Sequence, residues 1–377
     1  MVPWLPGCLN ASGGDVVIPG RPVETPALLL DLDVMEGNIS RMADLARQGG
    51  VGLRPHIKTH KSLPIAHRQL LQGARGVTVA TLAEGELMAQ GGIRDILLAY
   101  PPVGSLKLER LLDLAAWVHL TVVVDSMEAA RPLAAACLDR DMTLDVYIKI
   151  DTGLGRTGTS PEGAVELARE LRQLEPLHLI GLMSHCGFSY GCQGPEELAR
   201  VARQDGELMV QTKDALNRIG ISIREISVGS TPTCWTGELV PGVTEIRPGT
   251  YVFNDGNNVL SGIVKEEDCA ASVLATVISR PNPRRVIIDA GSKSVAKEPS
   301  SLGPGLGIVK GLPGAVLERV YEEHGVIELP TDASEPAVGD LLEIIPNHIC
   351  PVVNLFSQYI LVRQGKVVGS WPIAARR

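Results

Sequence analysis

The chain has 377 residues, 45% hydrophobic and 21% charged, with a formal net charge of -8. That apolar content suffices for two packed domains, and the acidic balance excludes broad attraction to nucleic acid or an anionic membrane. Any anion must therefore be held by a local site, and the expected partner is a small molecule.

The opening "MVPWLPGCLNASGGDVV" lacks the basic start and apolar run of a signal peptide, and no stretch approaches a membrane span, which reads as a cytoplasmic protein. The cysteines at 8, 137, 186, 192, 234, 269 and 350 have no CxxC spacing, which argues against a disulfide framework or a zinc knuckle. From Thr25 onward, short branched-residue runs alternate with amphipathic segments. The expected strands are "ALLLDL" from Ala27, "VGLRPHIK" from Val51, "GVTVAT" from Gly76, "DILLAY" from Asp95, "LTVVVD" from Leu120, "LDVYIKID" from Leu144, "LHLIGLMSH" from Leu177 and "REISVGS" from Arg224. Their spacing of about 25 residues matches a (β/α)8 barrel. "DVMEGNISRMADLARQ" reads as a helix with Asp33 as N-cap, Met35, Ile39, Met42, Leu45 and Ala46 on one face, and Gly49 and Gly50 as its end.

After Ser261 the texture changes to short β-type runs: "SVLATVISRP", "RRVIIDAG", "DLLEIIP" and the hairpin-like "YILVRQGKVVGSWPI", with "KEPSSLGPGLG" as a loop. The expected organisation is an N-terminal extension over 1–24, an α/β barrel domain over 25–261 and a mainly antiparallel β domain over 262–377.

In "LRPHIKTHKS" strand alternation would aim Arg54, His56 and Lys58 at one face, inward near the C-terminal rim where such barrels place their chemistry. Burial among cations favours a neutral amine at Lys58, the nucleophile for a carbonyl. "SVGSTPT" (Ser227 to Thr233) and "RPGTYVFND" (Arg247 to Asp255) combine Gly with small hydroxyls, which suits a phosphate monoester; Ser230, Thr231, Gly249, Thr250 and Tyr251 are its candidate contacts. In "PNHICPVVNL", His348 and Cys350 stand two apart, so an extended segment would turn both toward one cation. Imidazole with thiolate favours zinc, with manganese as the second choice. Taken alone, each of these short patterns is also compatible with ordinary loops.

"TPALLLDLDVMEGNISRM" followed by "RPHIKTHK" resembles the start of pyridoxal-phosphate enzymes of the alanine racemase-like barrel class, and within it the D-threonine aldolase and D-serine dehydratase family. The resemblance implies that Lys58 binds pyridoxal 5'-phosphate covalently. It further implies that Arg156, in "IKIDTGLGRTG", sits near the cofactor ring, and that His185 and Tyr190, in "SHCGFSYG", contact ring or substrate. It makes His348 and Cys350 a two-residue metal site close to the cofactor. It also implies a homodimer whose active site borrows the partner's C-terminal domain.

His-x-Cys is the dehydratase form in this family, and "SHCGFSYG" and "SVGSTPT" also resemble the dehydratases. "VIIDAGSKSV", "EEHGVIEL" and "VGSWPIAAR" look at least as much like the aldolases. The expected activity is loss of water and ammonia from a D-3-hydroxy amino acid of the D-serine or D-threo-3-hydroxyaspartate type, with Lys58 taking the Cα proton. The alternative is aldol cleavage to glycine and an aldehyde, with His60 or His185 as the base. A racemase or a non-catalytic cofactor-binding protein is a further alternative. His324 in "EEHG" is a supplementary candidate for the metal site.

Overall fold

The computed structural model describes residues 17–18, 21–331 and 336–375. Most of the N-terminal extension assigned to 1–24 lies outside them. The chain divides into two units, one formed by the chain through Asn38 together with the chain from Thr250 on, the other by Ile39–Gly249. This differs from the sequence-based division at 25 and 261.

The reason is the strand Ala27–Asp31 (β1), expected as the first barrel strand. It pairs instead with Ala271–Leu274 and with Ile360–Val362, inside the β unit. Its apolar residues are buried, so the run announces a strand but not which sheet it joins. Helix α1 (Leu32–Gln48) follows directly. Asp31, rather than Asp33, caps it, with Oδ1 accepting from the N–H groups of Asp33 and Val34. Met35, Ile39, Met42 and Ala46 form its buried face.

The barrel unit holds eight parallel strands: β2 (Gly52–Leu53), β3 (Val77–Val79), β4 (Asp95–Leu98), β5 (His119–Val124), β6 (Leu144–Lys149), β7 (Leu177–Met183), β8 (Glu225–Val228) and β9 (Glu245–Ile246). They pair in the order β2-β9-β8-β7-β6-β5-β4-β3, and a bridge from His56 to Thr78 ties the chain after β2 to β3. The eighth strand is two residues long, too short for alternation to reveal. Outer helices start on clear signals: Thr81 caps Leu82–Gln90, and Ser160 with Pro161 opens Pro161–Leu171.

In the β unit the long strand β10 (Ala271–Asn282), β11 (Arg285–Ile288), β12 (Gly307–Val309), β13 (Val316–Val320), β14 (Gly325–Glu328) and β15 (Leu341–Pro346) form a closed antiparallel ring. The ring is extended through β1 to the hairpin β16 (Gln358–Arg363) and β17 (Lys366–Pro372). Gln364 and Gly365, both at positive φ, make the hairpin turn. Among the described residues no helix is long and apolar enough to cross a membrane.

Candidate active site

Lys58 follows the first barrel strand, not the second, and lies in a 3-10 turn, Ile57–Thr59, so the period of two stops before it. His56 caps that turn: its Nδ1 accepts the Lys58 N–H at 3.4 Å. Arg54 does not share the pocket. Its guanidinium is held lower in the barrel by Glu245 at 2.7 Å and Asp95 at 2.6 Å. His60 does not share it either. Its Nδ1 accepts from the Ser62 N–H at 3.1 Å, so Nε2 carries the proton given to Gln69 Oε1 at 3.3 Å. Burial keeps this ring neutral, with its pKa lowered to about 3, and His60 is a core histidine rather than a base. The next residue, Lys61, sits at φ 49 and pairs with the buried Glu84 at 2.7 Å. Glu84 also accepts the Ala80 N–H, so the pair fixes the chain leaving Lys58.

Lys58 itself is half-buried, and its amine has no hydrogen-bond partner among the described residues. Around it the barrel gathers cations. Lys149 at the end of β6 is 4% exposed, and among the described residues its amine makes only a 3.4 Å contact to the Ala99 carbonyl. Burial, then Arg156, Arg247 and Lys58, lower its pKa to about 8. Arg247 is also buried; it donates to Ser227 Oγ at 2.8 Å and to the Ser184 carbonyl. His56 and His185 are both pushed well down, first by burial and then by the Lys58 and Arg247 charges. Two neutral imidazoles therefore stand among these cations. The Tyr190 ring stands 6.2 Å from that of His185.

The loop after β8 and the loop after β9 meet beside this cluster, at the two positions phosphate sites favour in such barrels. Ser230 Oγ bonds Ser189 Oγ at 2.8 Å, and Thr231 Oγ1 accepts the Gly249 N–H at 3.1 Å. A Cβ on Gly249 would lie 3.1 Å from Thr59 Oγ1 and 3.3 Å from His56 Cβ, so a side chain here would push these neighbours apart by a few tenths of an ångström. Thr250 and Tyr251 fall in the other unit, in a buried 3-10 turn, Thr250–Val252. The barrel residues suit a phosphorylated aldehyde: an amine with no partner among the described residues, a small-residue cradle and an excess of buried positive charge.

Sequence reasoning missed Lys149, Arg247 and Asp205. Asp205 lies on the buried face of the long helix Pro195–Arg218 and accepts from Ser184 Oγ at 2.9 Å. A carboxylate on the apolar side of a helix was the legible signal.

In the β unit, His348 and Cys350 are not in a strand. His348 is the N-cap of Ile349–Leu355, and Cys350 lies in that helix's first turn. Their side chains are hydrogen-bonded to each other, and His348 Nδ1 stands 2.7 Å from Glu298 Oε2. Burial lowers the His348 pKa, but Cys350, Asp255 and Glu298 outweigh it and raise the value to about 10. Asp255 is buried, its pKa raised to about 6 by desolvation, and it accepts the Ile349 N–H at 3.2 Å. Among the described residues no cluster of three or more His, Cys, Asp or Glu side chains is gathered for a metal. The pair nevertheless has the chemistry of a two-residue site, an imidazole and a thiol in contact within acidic surroundings. His324 is exposed in the turn between β13 and β14.

Two family profiles match the chain: alanine racemase, N-terminal domain, over residues 30–256, and putative serine dehydratase domain over 270–362. The chain is 35% identical over 365 residues to a D-threonine aldolase from Arthrobacter sp., covering 95% of each chain. It is 35% identical over 368 residues to a D-threo-3-hydroxyaspartate dehydratase from Delftia sp., covering 93% of this chain and 97% of that one. Among solved structures, a single-residue variant of a D-threo-3-hydroxyaspartate dehydratase in a metal-free form superimposes with a TM-score of 0.86 at 34% identity, covering 93% of this chain and 97% of that one.

Proposed function

The chain belongs to the alanine racemase-like enzymes that carry a serine dehydratase domain, and from that premise we propose a pyridoxal-phosphate- and divalent-metal-dependent lyase that dehydrates D-3-hydroxy amino acids to a 2-oxo acid and ammonia. The observation that carries the dehydratase reading is the contact between the His348 imidazole and the Cys350 thiol. Bound pyridoxal phosphate supplies an electron sink for bond breaking at the substrate Cα.

The chain's own residues do the rest. Lys58, whose amine has no hydrogen-bond partner among the described residues, would hold the cofactor through Nζ, and the same amine, once released, would be the base that takes the substrate's Cα proton. Ser230, Thr231 and Gly249 receive the phosphate in the barrel, with Thr250 and Tyr251 as further candidates. Arg156, Lys149 and Arg247 supply the positive field that balances the anionic groups. His56 and His185, kept neutral, bound the ring without adding charge, and Tyr190 lies beside His185. His348 and Cys350 would hold a divalent cation, which would supply charge stabilisation for a departing 3-hydroxyl; nitrogen and sulfur donors favour zinc over manganese.

The second reading is an aldolase. It is favoured by the equal identity to the Arthrobacter enzyme and by His185, a neutral imidazole with no hydrogen-bond partner among the described residues. That ring can accept the proton of the 3-hydroxyl as the Cα–Cβ bond breaks and the aldehyde leaves; a proton returned to Cα then gives glycine. A homodimer, which rests on the resemblance alone, and the cytoplasmic location read from the sequence complete the proposal.

The test is product identification. Pure protein is incubated with D-serine, D-threonine and D-threo-3-hydroxyaspartate, with and without chelator. Oxo acid and ammonia establish the dehydratase, glycine and aldehyde the aldolase, and absence of product from all three overturns both.

A further inference from the structure

We propose that Glu298 is a positioning residue for the metal pair, fixing the His348 ring so that Nε2 is the nitrogen turned to the ion. The inference rests on the reading that His348 and Cys350 hold a divalent cation.

A carboxylate only accepts hydrogen bonds, so the 2.7 Å contact from Glu298 Oε2 to His348 Nδ1 places a proton on Nδ1. The other nitrogen, Nε2, is then the one that exchanges its proton for a cation. An orienting carboxylate on the far side of a ligand histidine fixes the tautomer and raises its basicity.

Three further observations indicate that Glu298 is placed rather than adventitious. Asn347, 1% exposed and adjacent to His348, donates through Nδ2 to the Glu298 carbonyl at 3.1 Å and to the Gly305 carbonyl at 3.0 Å. Glu298 is thus tied to the ligand segment through both backbone and side chain. Ala296, two residues earlier, holds φ 63 and ψ -173, a conformation suited to glycine, and it turns the chain out of the short helix Ser292–Val295. Asp255 in turn accepts the N–H of Ile349, the residue between the two ligands in sequence. Asn347, His348 and Ile349 are therefore each held by a different side chain.

The test is metal affinity, measured with the cofactor in place. Metal-stripped protein is titrated with Zn(II) against a chromophoric chelator, and with Co(II) for the thiolate-to-cobalt charge-transfer band, in wild type, Glu298→Ala, Glu298→Gln, His348→Ala and Cys350→Ala. Melting curves and the cofactor's visible absorbance confirm folding. Expected is a loss of about 10- to 100-fold in affinity for Glu298→Ala, the usual cost of removing an orienting partner. Glu298→Gln, whose amide oxygen still accepts from Nδ1, should recover most of that loss and keep the charge-transfer band. Wild-type affinity in Glu298→Ala, with affinity lost in His348→Ala and Cys350→Ala, overturns the positioning role alone. Glu298→Gln as weak as Glu298→Ala also overturns it, in favour of direct ligation. Wild-type affinity in His348→Ala and Cys350→Ala removes the metal reading itself.

Discussion

The surroundings of Lys58 in the barrel unit and of His348 in the β unit carry opposite charge. In the barrel, burial together with Lys58, Lys149, Arg156 and Arg247 drives His56 and His185 to the neutral form. In the β unit, the Cys350 contact, Asp255 and Glu298 drive His348 to the charged form despite its burial. Identical side chains thus reach opposite protonation states because their neighbours differ in sign. One region carries the surroundings that suit an anion, the other those that suit a cation.

The largest effect expected from breaking this contrast is at Lys58. Lys58→Ala should lower turnover by about a thousandfold or more, and borohydride reduction followed by mass spectrometry should find no cofactor bonded to the protein. On the cation side, His348→Ala or Cys350→Ala should lower turnover by about a hundred- to a thousandfold, several kcal/mol of lost charge stabilisation. The cofactor's visible absorbance should stay; if turnover also stays, the metal has no part in the reaction.

Lys149 sharpens the contrast by putting function against stability. Its folded pKa of about 8 lies below the ordinary 10.5, so between those values the folded state binds fewer protons than the unfolded. Stability of the cofactor-free protein should therefore rise with pH across that window, the penalty being fully present below about 8. Lys149→Met should remove the slope and stabilise the cofactor-free protein at pH 7 by about 2–3 kcal/mol, while weakening cofactor binding about tenfold. Denaturant titrations over a pH series would refute this if variant and wild type run parallel. The smallest effect on chemistry is expected at His60. His60→Leu removes the hydrogen bonds to Gln69 Oε1 and from the Ser62 N–H, costing about 1–3 kcal/mol, yet the pH profile of turnover should not move.

Much of this was legible along the chain. The run ending in "HIKTHK", the Gly-Ser-Thr turns and His-x-Cys marked the Lys58 region, the two barrel loops and the pair of the β unit. His60 was misread because a histidine two residues from Lys58 looks the same in sequence whether it faces a cavity or Gln69. Arg54 was misplaced because alternation gives the face of a residue but not its height in a barrel, and its partners Glu245 and Asp95 are remote in sequence. Asp255 and Glu298 could not be seen, since they stand 93 and 50 residues before His348 and meet its segment only through the fold.

The sequence by itself determined the alternation of strand and helix, the candidate lysine and the side-chain types of the His-x-Cys pair, because these follow from local periodicity and side-chain chemistry. Only the tertiary structure decided which sheet Ala27–Asp31 joins, which two residues make the eighth barrel strand, and which histidines are neutral. Strand partners and electrostatic neighbours are non-local: they are set by which surfaces are buried together, and burial fixes the charge each side chain carries.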